Sequence, residues 1–131
     1  MIKLVIDTNV IISAALSDNG KPAQIIDMIS EGKFQLYYNK QILSEYSDVL
    51  TRKKFMFSHD KQELLINKII KMGVDFEPKI SVMPMPDEDD RIFYDTAKEI
   101  GAFLITGNKK HYPDEPFIMT PSDFLCTLIK R

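Results

Sequence analysis

The apolar pattern begins with IKLVI at 2–6, a short strand-like run that halts at Asp7, after which TNVIISAAL changes to helical spacing. Asp7 is therefore expected at the C-terminal end of a strand. Ile25, Ile26, Met28 and Ile29 recur between Pro22 and Gly32, which predicts a helix over 22–31, and FQLYY at 34–38 follows as an aromatic-rich strand. From Asn39, a good helix cap, Ile42, Leu43, Tyr46, Val49 and Leu50 recur at helical intervals to about Lys54, with Glu45 little more than a turn inside. Asp60 and Glu63 stand at capping-box spacing ahead of Leu64, Leu65, Ile66, Ile69 and Ile70, and Gly73 closes that helix. Pro78, Pro84 and Pro86 keep 74–86 extended, with Met83 to Pro86 as a lead-in rather than a binding motif. Asp87, Glu88, Asp89 and Asp90 then open a helix, where negative charge favours the N-terminal end of the dipole, and Gly101 ends it. AFLIT at 102–106 and FIMT at 117–120 read as strands, and Thr120 and Pro121 as the cap and first position of a last helix.

Strands alternating with helices imply a mostly parallel sheet covered on both faces, and such sheets bind ligands beyond the carboxyl ends of their strands. Asp7 and the TGN string at 106–108 lie at such ends. With 131 residues and no repeat or linker, one domain over 1–131 is expected. Hydrophobic residues at 44% and charged residues at 27% suit a soluble protein, and no apolar run nears the roughly 18 residues of a membrane span. Asp7 and Asn9 interrupt what would otherwise resemble a signal peptide, so 2–6 reads as a mature strand. Cys126 stands alone in the sequence, has no partner for an internal disulfide, and reads as a packed thiol, which fits a cytoplasmic location. A net charge of −2 argues against coating nucleic acid through bulk electrostatics, but leaves room for a local basic rim around an acidic site.

Asp7, Glu45 and Asp90 are the acids that this arrangement can bring together. At about 5 Å, each pair of unpartnered carboxylates repels by roughly 3 kcal/mol at an effective dielectric of 20, so a cluster needs a cation or protons. An all-oxygen set suits Mg²⁺ or Mn²⁺ and, through it, phosphodiester hydrolysis. Taken singly, Asp7 is equally a cap for the following helix, Glu45 a solvated helix residue and Asp90 a first-turn residue. Their joint placement favours the metal.

The strand-ending IDTNVIISA, the glutamate in ILSEYSDVL, the helix start DEDDRIFYDTA and the later LITGN, in that order over roughly 2–125, together resemble a PIN domain. The resemblance is nearest to bacterial VapC-like PIN proteins, the toxin components of toxin–antitoxin pairs. It implies an α/β fold, a three-layer α/β/α sandwich with a mostly parallel central sheet. It also implies Mg²⁺-dependent (or Mn²⁺-dependent) endonucleolytic hydrolysis of RNA, a cognate antitoxin, and assembly into a homodimer or higher oligomer. Carried over by position, it assigns catalysis to Asp7, Glu45, Asp90 and Asn108 and metal binding to the first three, with Asn9 and Thr106 as polar support on the substrate side. The fourth acidic position of the family, often the aspartate of a TGD string, is Asn108 here. Asn108 can still orient water or accept a weakly held ion, and Asp89 and Asp87 are nearby acids that could substitute.

Arg52, Lys53 and Lys54 beyond Glu45, and Lys109 and Lys110 after Asn108, are candidate phosphate contacts. His59 and His111 lack metal-ligand spacing, and His111 reads as a loop residue. A receiver-type phosphoacceptor domain would need paired acids after the first strand and an acceptor aspartate where Glu45 stands. A D-x-D phosphatase is disfavoured by Asn9, and a P-loop by Ala15 and Pro22 around Gly20 and Lys21. Asn108 leaves open a catalytically weak PIN-like module that binds RNA or protein.

Overall fold

The computed structural model describes residues 1–129; the last two positions of the domain expected over 1–131 lie outside the described residues. At its centre is β1 (Lys3–Ile6), in which Leu4, Val5 and Ile6 are all 0% exposed. Successive strand side chains point to opposite faces, so burial of three in a row requires layers on both sides of the sheet. β1 pairs in parallel with β2 (Gln35–Tyr38) on one side and β4 (Phe103–Ile105) on the other. β3 (Gly73–Asp75) lies outside β2 and β5 (Ile118–Met119) outside β4, giving the order β3-β2-β1-β4-β5 with every pairing parallel.

The helices are α1 (Thr8–Leu16), α2 (Lys21–Ser30), α3 (Lys40–Leu50), α4 (His59–Met72), α5 (Arg91–Ile100) and α6 (Pro121–Ile129). They complete the three-layer α/β/α fold. The chain runs outward from β1 through β2 to β3, then returns across to β4 and β5. The order therefore reverses between β1 and β4, and a crevice opens at their carboxyl ends.

Asn39 starts α3 as its residue type predicts, its side chain accepting from the Ile42 N–H at 3.0 Å. Gly101 ends α5 in the left-handed region at φ 70, where a Cβ would be strained. Gly73 does not merely stop α4: it begins β3, and a Cβ there would lie 2.7 Å from the Tyr38 ring. The cap of α4 is Ser58, whose hydroxyl accepts from the Lys61 N–H at 3.1 Å, rather than Asp60, which lies inside the first turn. α3 stops at Leu50, short of Lys54, and Lys53–Phe55 form a separate 3-10 turn closed by Met56 at φ 55. The acidic run forms its own 3-10 turn, Glu88–Asp90, because the Asp87 side chain accepts the Asp89 N–H at 3.0 Å and tightens the backbone ahead of α5.

The proline-rich segment before that turn is tied to α5. Asp95 accepts the N–H and hydroxyl of Ser81 at 2.9 and 2.6 Å, while Arg91 donates to the carbonyls of Ser81 and Met83. Cys126 is exposed rather than packed: α6 turns Phe124 into the core, and a residue two positions on faces away.

Candidate metal centre

Asp7 follows β1 directly, and its N–H donates to the Ile105 carbonyl at 2.9 Å, so the two strand ends fix it at the crevice. It precedes α1, yet its side chain makes no capping bond. Its Oδ2 instead accepts the hydroxyls of Thr106 at 2.7 Å and Tyr112 at 3.0 Å, with the Asn9 amide at 3.4 Å. Glu45 comes from α3 and accepts the Thr8 hydroxyl at 3.1 Å. Tyr46, its neighbour, is fully buried and donates its hydroxyl to the Ile6 carbonyl, which locks α3 to the end of β1. Asp90 ends the 3-10 turn and is 8% exposed.

The three acids come together. Each offers a carboxylate oxygen, and these oxygens lie within 4.8 Å of one another. A six-coordinate Mg²⁺ with oxygens at about 2.1 Å spans about 4.2 Å between opposite ligands, so side-chain shifts of well under 1 Å bring the set to the spacing of a divalent ion. The chemistry of the atoms agrees: Asp90 Oδ2 is buried with no hydrogen-bond partner among the described residues. His111 Nδ1 lies 3.4 Å from that oxygen, close enough to attract it when protonated but not in hydrogen-bond geometry. Burial lifts the carboxyl of Asp7 above its usual range against the pull of Thr106 and Tyr112. Burial also lifts Glu45, with the charges of Asp7 and Asp89 adding to it. Asp90 is pushed up to about 7, first by burial and then by Asp7 and Asp87. Three acids resisting ionisation at one point form a site that a dication would stabilise.

Asn9 and Thr106 brace Asp7: the Asn9 amide bridges Asp7 and the Gly107 N–H, the latter at 3.0 Å, and Thr106 is fully buried between Asp7 and the Asn108 N–H. Asn108 faces His111, amide nitrogen to Nε2 at 2.9 Å, rather than the triad. Lys109 and Lys110 are exposed on the next turn. Arg52 pairs with Asp48 at 3.6 Å and its charge reaches Glu45, whereas Lys54 lies over the Phe55 ring. His59 pairs with Glu63 on α4. Asp89 acts on Glu45 only through its charge, and Asp87 groups with Asp90 and His111.

Sequence reasoning missed Thr8, Tyr112 and the placement of His111. Thr8 had a signal, a hydroxyl beside a strand-ending acid; Tyr112 lies 105 positions from its partner and had none.

The sequence pattern of the PIN domain family matches residues 3–110. The chain belongs to the PIN domain family. A relative is the uncharacterized protein MJ1680 of Methanocaldococcus jannaschii, 36% identical over 111 residues that cover 82% of this chain and 72% of that one. The crystal structure of PAE2754 from Pyrobaculum aerophilum shares the PIN chain's fold with a TM-score of 0.60 at 14% identity, over 99% of this chain and 91% of that one. PIN domains are in general nucleases, so nuclease chemistry on a nucleic acid is the activity this family membership supports. No helix among the described residues is long and apolar enough to cross a membrane.

Proposed function

We propose that this PIN domain is a Mg²⁺-dependent endoribonuclease that hydrolyses RNA phosphodiester bonds, acting in the cytoplasm as the toxin component of a toxin–antitoxin pair. The observation that carries the reading is the convergence of Asp7, Glu45 and Asp90 from three separate elements, with no lysine or arginine ion-paired to any of them among the described residues. These three would hold the ion. When bound, Mg²⁺ or Mn²⁺ supplies a Lewis acid that acidifies water and offsets charge developing on the phosphoryl group.

The chain's own residues divide the rest of the work. Asp7, gripped by Thr106, Tyr112 and Asn9, is the fixed anchor. Glu45 has one hydroxyl donor and, unlike buried Asp7 and Asp90, is half-exposed, so it is the acid that reaches the attacking water and accepts its proton. Lys109 and Lys110 hold the phosphates flanking the scissile bond. Asn108 bears no charge, so the ion is held mainly by the triad.

The test is cleavage of a labelled RNA by the purified chain with Mg²⁺ or with EDTA. Asp7→Asn and Asp90→Asn should each lower the rate by more than about 100-fold, beyond the range usual for supporting residues. RNA binding without Mg²⁺-dependent cleavage would replace the enzyme with a binding module. Growth arrest on expression, relieved by the product of a short adjacent gene, tests the toxin role, and light scattering tests the homodimer.

A further inference from the structure

Asp90 belongs to two clusters. Besides Asp7 and Glu45, it groups with Asp87 and His111, and one ligand atom of each of these three again lies within 4.8 Å of the others. The second cluster contains an imidazole, and the buried, unpartnered Asp90 Oδ2 is the atom that His111 Nδ1 approaches at 3.4 Å. A carboxylate oxygen and a ring nitrogen at this distance are joined either by a proton on the ring or by a cation between them. Asp87 has one oxygen engaged by the Asp89 N–H, and its other oxygen makes no hydrogen bond among the described residues.

We propose that Asp87, Asp90 and His111 form a second divalent-cation site, bridged to the first through Asp90, which takes Mn²⁺, Co²⁺ or Zn²⁺ in preference to Mg²⁺. The preference follows from the donors: imidazole suits borderline transition ions, whereas Mg²⁺ favours oxygen and keeps its water. A histidine that binds a metal through one ring nitrogen usually has its other N–H held by an acceptor. Asn108 meets His111 Nε2 at 2.9 Å, and a half-turn of its amide presents the oxygen to that N–H and leaves Nδ1 free to coordinate. Asn108 is then a positioning residue for His111.

This inference extends the metal-binding reading of Asp90, but its test is metal stoichiometry and does not depend on RNA cleavage. The metal-free chain is titrated with Mn²⁺ at pH 7.5 in excess Mg²⁺, by calorimetry and electron paramagnetic resonance. With Mg²⁺ in excess the wild type should take up one Mn²⁺ without spin coupling, because Mg²⁺ fills the triad, and in Mg²⁺-free buffer it should take up two Mn²⁺ that give a spin-coupled spectrum. His111→Ala and Asp87→Asn should lose the coupling and the Mg²⁺-resistant Mn²⁺ while still binding one ion in Mg²⁺-free buffer. Asn108→Ala should keep the site with affinity weaker by about tenfold or more. His111 is exposed, so its removal should leave melting in EDTA unchanged. A wild type that binds a single Mn²⁺ even without Mg²⁺, or a His111→Ala variant with two bound and coupled ions, overturns the proposal. A chain that binds two ions yet leaves RNA intact would refute the ribonuclease reading and keep this site.

Discussion

At the scale of single residues, the acidic cluster is costly without an ion. Asp90 keeps its proton up to about pH 7 because ionising it buries a charge beside Asp7 and Asp87. Replacing it with asparagine removes that cost along with the ligand. In EDTA at pH 8, Asp90→Asn should therefore be more stable than the wild type, on the order of 2 kcal/mol by urea denaturation, and catalytically dead. Equal or lower stability would mean that the cluster is not strained. Tyr112 tests the opposite effect. Burial and the charge of Asp7 hold its phenol far above its ordinary range, so it remains a donor to Asp7 at any working pH. Tyr112→Phe should leave the fold intact and weaken Mn²⁺ binding about 10–100-fold, read by titration, as expected for a residue that orients a ligand. Asp7 and Asp90 were candidates in the sequence because each stands at an element boundary that the apolar pattern marks, and Glu45 because it lies little more than a turn inside the helix that Asn39 starts. Tyr112 and His111 were not: their roles depend on how the loop after β4 folds back, and no periodicity encodes that.

At the scale of elements, α3 carries Glu45 into the crevice and Asn39 sets where α3 begins. Asn39 is fully buried; besides capping Ile42 it donates to the Phe76 carbonyl at 3.2 Å and to the Thr96 hydroxyl at 3.0 Å. One amide thus joins α3, α5 and the chain leaving β3. Asn39→Ala should cost about 2–4 kcal/mol, the sum of a lost cap and orphaned buried partners, and should weaken metal binding by displacing Glu45. Ser58→Ala, at an exposed cap with one bond, should cost only about 1 kcal/mol and leave metal binding alone. Equal losses for the two would remove Asn39 from the positioning of the site. The strands and helices were legible as periods, and so was the Asn39 cap. The 3-10 turns at Lys53–Phe55 and Glu88–Asp90 were not, since three-residue turns have no period and are set by local side-chain bonds. β3 was hidden because its three residues gain strand identity only from pairing with β2.

At the scale of the whole molecule, protons and metal compete for the same three carboxylates of the folded chain. Asp7, Glu45 and Asp90 all have folded-state pKa values above their unfolded ones, so the native state holds their protons more tightly. Their contribution to stability is fully present below about pH 4, near the unfolded values, and is lost as pH rises through the folded values, about 7 for Asp90. Glu88, lowered by its bond to Arg91, works in the other direction, but its contribution is complete above its unfolded pKa and is constant from pH 5.5 upward. Thermal melting in EDTA should therefore fall steadily from pH 5.5 to 8. Bound ion requires the ionised acids, so stabilisation by saturating Mg²⁺ should grow over the same interval. The quantity to measure is the difference in Tm between Mg²⁺ and EDTA at each pH. A difference that widens with pH follows from a shared set of acids, and a flat one would place the ion elsewhere. In Asp90→Asn the pH dependence in EDTA should flatten, because the largest proton-holding group has been removed, which ties the behaviour of the whole chain to the crevice between β1 and β4.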